Sequence, residues 1–397
     1  MAGKTPLKHS IIDSIMKKLC AITTVDITLS SFVVDAMRKL KEEGYDITLI
    51  SSMSDVFFNR YKDEFHCINL QMSRGTNPIE MLKSIWAFYK IFRREQFDYI
   101  QYATPNASLY ASVAAFMVGC PIRVYCQWGI RYVGFEGMKR KFFKILEVLT
   151  CKLSTHIRPA SQKNLLFAVS EGHYPEKKAS IIGAGGTIGV DFKVFDKSKK
   201  ETYKAAVIEE YPILKDRFVF GFVGRMDRDK GTNELFTSFL KLYQKHPNIA
   251  LLFIGPEDKI TGIDIALYQA VKDSGAAVFT GFTNEVPKYI SAMDVLVHPS
   301  YREGFSMVIQ QAMAMEIAVV TTNIPGPSEV IEENVSGLLA EAKDSESLAR
   351  AMEKLLQDDV LRSSMAHKGY SRAQKLFERG HMLELTCTDR KRILQDL

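Results

Sequence analysis

Two segments of the chain carry residues whose types and spacing can do chemistry. The first is GFVGRMDRDKG, residues 221–231, where Gly224, Arg225 and Lys230 follow a strongly apolar run and precede an amphipathic stretch at 232–243. With the run as a strand and the stretch as a helix, the loop stands at the carboxyl edge of a parallel sheet. Ligands bind there, and a helix N-terminus offers free N–H groups. Two cations at that place suit a diphosphate. They can equally be solvated loop charges, because the segment is neither a P-loop nor a G-x-G-x-x-G fingerprint.

The second segment is PSYREGFSMVIQQAMAM, residues 299–315, after the apolar run at 295–298. Gly304 lets backbone approach a ligand closely, and Ser306 is placed to cap the helix that follows and to aim its N–H groups at an anion. Glu303 follows Arg302, with no other basic residue at helical spacing to neutralise it. A carboxylate is awkward beside phosphate but useful if it accepts hydrogen bonds from ligand hydroxyls. Two such loops in one half imply a diphosphate flanked by hydroxyl-rich groups, which describes a nucleotide sugar.

Positioning these loops requires βα units, and the apolar runs supply them. Short runs ending in polar loops, each followed by a helical-period stretch, recur from end to end and predict a mainly parallel sheet in each half. Strands are expected at 18–24, 45–52, 99–102, 123–127 and 155–159, with a helix at 32–43. The pattern resets after the charged stretch 193–216, with further strands at 218–223, 250–254, 278–280, 295–298 and 318–321. The glycines at 183, 185, 186 and 189 mark tight turns near the junction. The fold class is therefore α/β, with two doubly wound domains.

Bulk properties agree. The 397 residues suffice for two domains, and 46% hydrophobic with 25% charged residues excludes a disordered chain. Residues 1–200 hold 29 basic against 18 acidic residues, a net +11, which leaves −5 for the remainder. The basic half needs an anionic neighbour: nucleic acid, lipid headgroups or a phosphorylated substrate. Nucleic acid is the weakest of these, because the basic residues are not interleaved with aromatics in a recognisable module. Six cysteines without a CxxC pair or histidines at zinc spacing point away from a structural zinc and towards a reducing cytosol. No apolar run approaches the ~18 residues needed to span a bilayer, and the start, MAGKTPLKHSIIDSIMKK, lacks a signal-peptide pattern.

The segments GFVGRMDRDKGTNELF, LLFIGPED, VFTGFTNEVPKYISAMDVLVHPSYREGFSMVIQQAMA, VVTTNIPGPSEVI and VSGLLAEAKDSESLARAM cover most of residues 217–355. Together they resemble the retaining glycosyl transferases group 1 family, whose architecture is GT-B, two Rossmann-like domains facing across a cleft. The resemblance implies a C-terminal nucleotide-sugar domain at 201–375 and an N-terminal acceptor domain at 1–200, completed by a C-terminal helix at about 375–397. It implies that Arg225 and Lys230 hold the donor diphosphate and that Glu303, the first Glu of the Glu-x7-Glu motif, contacts the donor sugar. It further implies that Gly224 and the backbone of Gly304, Phe305 and Ser306 meet the phosphates, and that Phe282 and Val286 belong to the substrate-binding set. The second motif Glu falls at Gln311, which keeps an acceptor oxygen for the ribose and loses the charge.

In the first half, VYCQWGIRYVGFEGMKRKFFKILEVLTCKLS and GAGGTIGVDFKVF resemble the members that build bacterial capsule and lipopolysaccharide chains. Trp128 stands where relatives carry a His near the donor sugar, and it is either a substrate-facing residue or an aromatic wall. The stretches at 137–150 and 84–95 combine basic and apolar residues at helical spacing. Each can lie on an anionic membrane or pack on its own domain. With the +11 balance, the expected acceptor is a polyprenyl-diphosphate-linked saccharide met at the cytoplasmic face of the membrane. No metal or other cofactor is expected, UDP being the default nucleotide. The rivals are a catalytically weakened partner in a polysaccharide-assembly complex and a nucleotide-sugar epimerase.

Overall fold

The computed structural model describes residues 16–73, 75–257 and 262–395. Residues 1–15, on which the signal-peptide reading rests, and the last two residues of the expected terminal helix lie outside them. In the first half, strands β1 (Lys18–Val25), β2 (Asp46–Ser52), β3 (His66–Asn69), β4 (Tyr99–Ala103), β5 (Ile122–Gln127) and β6 (His156–Pro159) form one sheet in the order β3-β2-β1-β4-β5-β6. In the second, β7 (Phe218–Val223), β8 (Ile249–Ile254), β9 (Ala277–Phe279), β10 (Val295–His298), β11 (Ala318–Thr322) and β12 (Leu338–Ala340) form another, in the order β12-β11-β10-β7-β8-β9. All the ladders are parallel.

Strands covered by helices on both faces read as unbroken apolar runs, and β8 (IALLFI) and β10 (VLVH) are buried throughout. Successive residues serve opposite cores: Leu19 and Ala21 of β1 join one cluster while Cys20 and Ile22 join the other. In β8, likewise, Leu251 and Phe253 face one core and Leu252 and Ile254 the other. Two short strands escape the sequence pattern. The edge strand β3, HCIN, is not fully buried at any position, and β12 has three residues. The single helix expected at 32–43 is instead a pair, Asp26–Phe32 and Val34–Glu42. Val33 leaves helical geometry at φ −127°, although its N–H still reaches Leu29 O at 2.9 Å.

Each sheet reverses its winding once, between β1 and β4 in the first and between β7 and β10 in the second. The loops that leave a parallel sheet at such a switch diverge and open a crevice at the carboxyl edge. The final helix, Arg379–Leu394, returns to the first half. Its Cys387, Ile393 and Leu394 are buried in that half's core, and Arg158 forks onto Asp389 with two 2.8 Å hydrogen bonds.

Candidate functional site

The loops after β7 and β10 are bound to each other. Asp227 caps the 3-10 turn Arg228–Lys230, accepting from Lys230 N at 3.1 Å, and Gly231 closes the turn at φ +69°. A Cβ on Gly231 would lie 2.0 Å from Pro299 O, so only glycine allows the loops to touch. Tyr301 N and Arg302 Nε then donate to Asp229 O and Oδ2, each at 2.8 Å.

This clamp delivers Lys230 to Glu303, and the two form an ion pair with side chains 22% and 20% exposed. The adjacent Arg302, the one base that spacing offers Glu303, pairs with Asp229 instead. The partner of Glu303 comes from 73 residues away, so no helical spacing could reveal it. Ser300 Oγ donates to the same carboxylate oxygen at 3.2 Å, and His298 Nε2 stands 3.5 Å from it. Burial alone would raise the Glu303 pKa, but the Lys230 charge and His298 outweigh it and hold the carboxyl well below its usual range. Burial lowers the His298 pKa, so that ring is neutral. Arg225 is two-thirds exposed and pairs with Asp227 at 2.8 Å.

Gly304 joins the halves. A Cβ there would lie 1.7 Å from Trp128 O, and Asn164 Nδ2 donates to Gly304 O at 2.9 Å. Phe305 turns its side chain away from the cleft. Its ring is buried against Phe377 and Gly185, which leaves only its backbone for a ligand. Ser306 caps the helix Met307–Ala314, accepting from Ile309 N at 3.4 Å. Gln311 is half-buried on that helix, whereas Phe282 is 73% exposed and Val286 packs at the edge of the core.

Across the cleft, the first half presents its own switch point. A cavity of about 550 Å³ is lined by Thr24, Thr104, Asn106, Trp128 and Arg131, with Arg302 reaching in from the second half. Trp128 packs on Phe32 at 5.4 Å and keeps an open edge, so it serves as both wall and lining. Glu303 lines a neighbouring cavity of about 200 Å³ with Asn164, Tyr301 and Arg302. Arg225, Lys230, Gly224, Phe282, Val286 and Gln311 line neither cavity. Sequence reasoning passed over His298, Asp227, Asp229, Asn106 and Arg131; HPS before REG and the D-x-D of RMDRDKG were the available signals for the first three.

Linear spacing also hid a convergence of Glu147, Cys151 and His173, all buried, whose ligating atoms lie within 4.8 Å of one another. Tyr125 and Gln127 donate to Glu147 at 3.0 and 2.6 Å, and burial pushes its carboxyl pKa up to about 7.

The comparisons fit this geometry. Residues 204–372 match the family model for glycosyl transferases group 1, and residues 18–160 match the glycosyl transferase 4-like model. The chain is 29% identical over 341 residues to the capsular polysaccharide biosynthesis glycosyltransferase CapM of Staphylococcus aureus, covering 85% of this chain and 87% of that one. It is 24% identical over 332 residues to the UDP-Gal:alpha-D-GlcNAc-diphosphoundecaprenol alpha-1,3-galactosyltransferase of Escherichia coli, covering 81% and 83%. A solved glycosyltransferase from Rickettsia africae superposes with a TM-score of 0.75 at 19% identity, over 96% of this chain and all of that one. With both halves matched to glycosyltransferase models and the two-sheet fold shared, the chain is a glycosyltransferase of the GT-B fold whose second half matches the glycosyl transferases group 1 family.

Proposed function

We propose that the chain moves a sugar from a UDP-sugar to a polyprenyl-diphosphate-linked saccharide, with retention of configuration, in the synthesis of a bacterial surface polysaccharide. The observation that carries the reading is the Lys230–Glu303 pair at the carboxyl edge of the second sheet, with Glu303 lining a cavity that shares Arg302 with the larger cavity of the first half. The printed name of the Escherichia coli relative, with a UDP-linked donor and a diphosphoundecaprenol acceptor, supports the substrate classes.

On this reading the donor diphosphate lies against Arg225, Lys230 and the N–H groups of residues 304–306. The Lys230 ammonium has three donors, enough to keep Glu303 and still bind a phosphate oxygen. Glu303, held ionised, accepts from sugar hydroxyls. The bond between the anomeric carbon and the leaving phosphate oxygen breaks as the acceptor oxygen bonds that carbon from the same face, and the acceptor proton passes to the leaving diphosphate. The protein's part is to stabilise the charge gathering on the diphosphate, so no protein nucleophile and no metal is required. Closure of the halves on the donor completes the site.

Among the described residues no helix is long and apolar enough to cross a membrane. Exposed Leu82 and Trp86 on the helix Pro78–Glu95, and exposed Phe142, Ile145 and Leu149 beside Lys139 and Lys141 on Gly137–Leu153, support peripheral attachment to the inner, anionic face of the cell membrane. The anomeric configuration of the product, read by NMR from an α-linked UDP-sugar donor, tests the mechanism. An α product is expected; a β product rejects retention, and acceptor-free interconversion of the donor sugar favours the epimerase.

A second reading rests on Gln311, whose lost charge fits a weakened assembly partner. Restoration of strong donor binding by Gln311→Glu in a chain otherwise without turnover would favour it.

A further inference from the structure

Two cavities of the first half meet along Pro105, Asn106 and Arg131. The 550 Å³ cavity opens on the interdomain cleft. A narrower groove lies between the helices Pro78–Glu95 and Gly137–Leu153 and is lined by Thr76, Met81, Leu109, Phe143 and Leu146. Pro105, Asn106 and Arg131 line both, so Arg131 stands where the cleft cavity passes into the groove.

Arg131 is half-buried, and among the described residues no carboxylate pairs with it. Nη1 donates to Asn106 Oδ1 at 3.1 Å, and the guanidinium lies 4.4 Å from the centre of the Phe143 ring. Burial and then the nearby Arg302 charge lower its pKa, so both resist a further cation and favour an anion. Arg302 is already paired with Asp229, and the cleft cavity has no carboxylate in its lining. The groove has one, Glu147, which burial keeps partly protonated near neutrality. A guanidinium half-withdrawn from water without a counter-charge favours a ligand that supplies one, and its planar fork suits a diphosphate.

Resting on the lipid-linked acceptor of the proposed function, we propose that Arg131, with Asn106, Thr24 and Thr104, seats the diphosphate of an isoprenoid diphosphate acceptor. Its hydrocarbon chain leaves along the groove between the two helices. The acceptor saccharide then extends from Arg131 into the cleft towards Glu303, and the lipid extends the other way, towards the helices that carry Trp86 and Phe142. One arginine thus divides the acceptor into a reacting end and a membrane end.

The test is calorimetric titration of the full chain with farnesyl diphosphate, farnesol and inorganic diphosphate, with UDP saturating so that the donor site is filled. Wild type is expected to bind farnesyl diphosphate more tightly than either comparator. Arg131→Gln should weaken it roughly tenfold, the scale of a charged hydrogen bond, with UDP affinity unchanged as the control for folding; Arg131→Lys, which keeps the charge and loses the fork, should fall between the two. Equal affinity in wild type and Arg131→Gln, or no gain from the farnesyl tail over inorganic diphosphate, overturns the seat and leaves the donor site standing. Absence of UDP binding in the wild type removes the transferase reading, and the seat with it.

Discussion

The two halves meet the cleft with the same topological device and opposite electrostatics. Each buries a glutamate. In the second half Lys230 keeps Glu303 ionised; in the first, Glu147 has only the neutral donors Tyr125 and Gln127, and burial pushes its pKa up to about 7. The arginines differ in the same sense. Arg225 and Arg302 are paired with Asp227 and Asp229 within their own half, while Arg131 has an amide and an aromatic ring. The second half is thus preorganised to receive a ligand of fixed shape. The first leaves a positive charge for its ligand to neutralise, which fits a chain with net +11 in residues 1–200.

Removing the pair that defines the second half should have the largest effect. Lys230→Ala is expected to lower kcat/KM by about 10²- to 10³-fold, the usual cost of one charge-stabilising donor. It also strands a buried carboxylate and lowers stability. Lys230→Ala combined with Glu303→Gln should recover the stability without the activity, as steady-state kinetics and thermal unfolding of the two variants would show.

The first half's glutamate gives a pH test. A carboxyl whose folded pKa is raised favours the fold fully below its unfolded pKa of 4.5, and that contribution is lost as pH rises to about 7. The change is on the order of 3 kcal/mol. The stability of wild type relative to Glu147→Gln should therefore fall between about pH 4.5 and pH 7 in denaturant titrations. A flat difference would mean that the two glutamates are not in opposite states.

At the junction, Gly304→Ala drives a methyl group into Trp128 O. It should cost about 1–3 kcal/mol of stability, as overpacking does, and calorimetric unfolding would measure it. The smallest effect is expected at Gln311→Glu, where a charged acceptor for the ribose improves UDP affinity by about 1 kcal/mol. Isothermal titration resolves a gain of that size.

Much of this organisation is legible in the chain itself. Central strands such as β8 and β10 declare themselves because burial on both faces demands an apolar run. The edge strand β3 does not, because half of its surface has no core to meet. The two site loops are readable from their glycines and from the cap at Ser306. Their clamp is not, because Asp229 to Arg302 and Lys230 to Glu303 are contacts made by tertiary folding. The same holds for Glu147, Cys151 and His173, and for Arg131, whose isolation from every carboxylate among the described residues is a property of space and not of spacing.

The central claim is that the second half is a donor site organised by Lys230 and Glu303. Titration of the purified protein with UDP and UDP-sugars, wild type against Lys230→Ala, tests it most directly. Micromolar binding of a UDP-sugar that is lost in the variant is the expected result. Equal binding by both proteins, or none by a folded wild type, would contradict it.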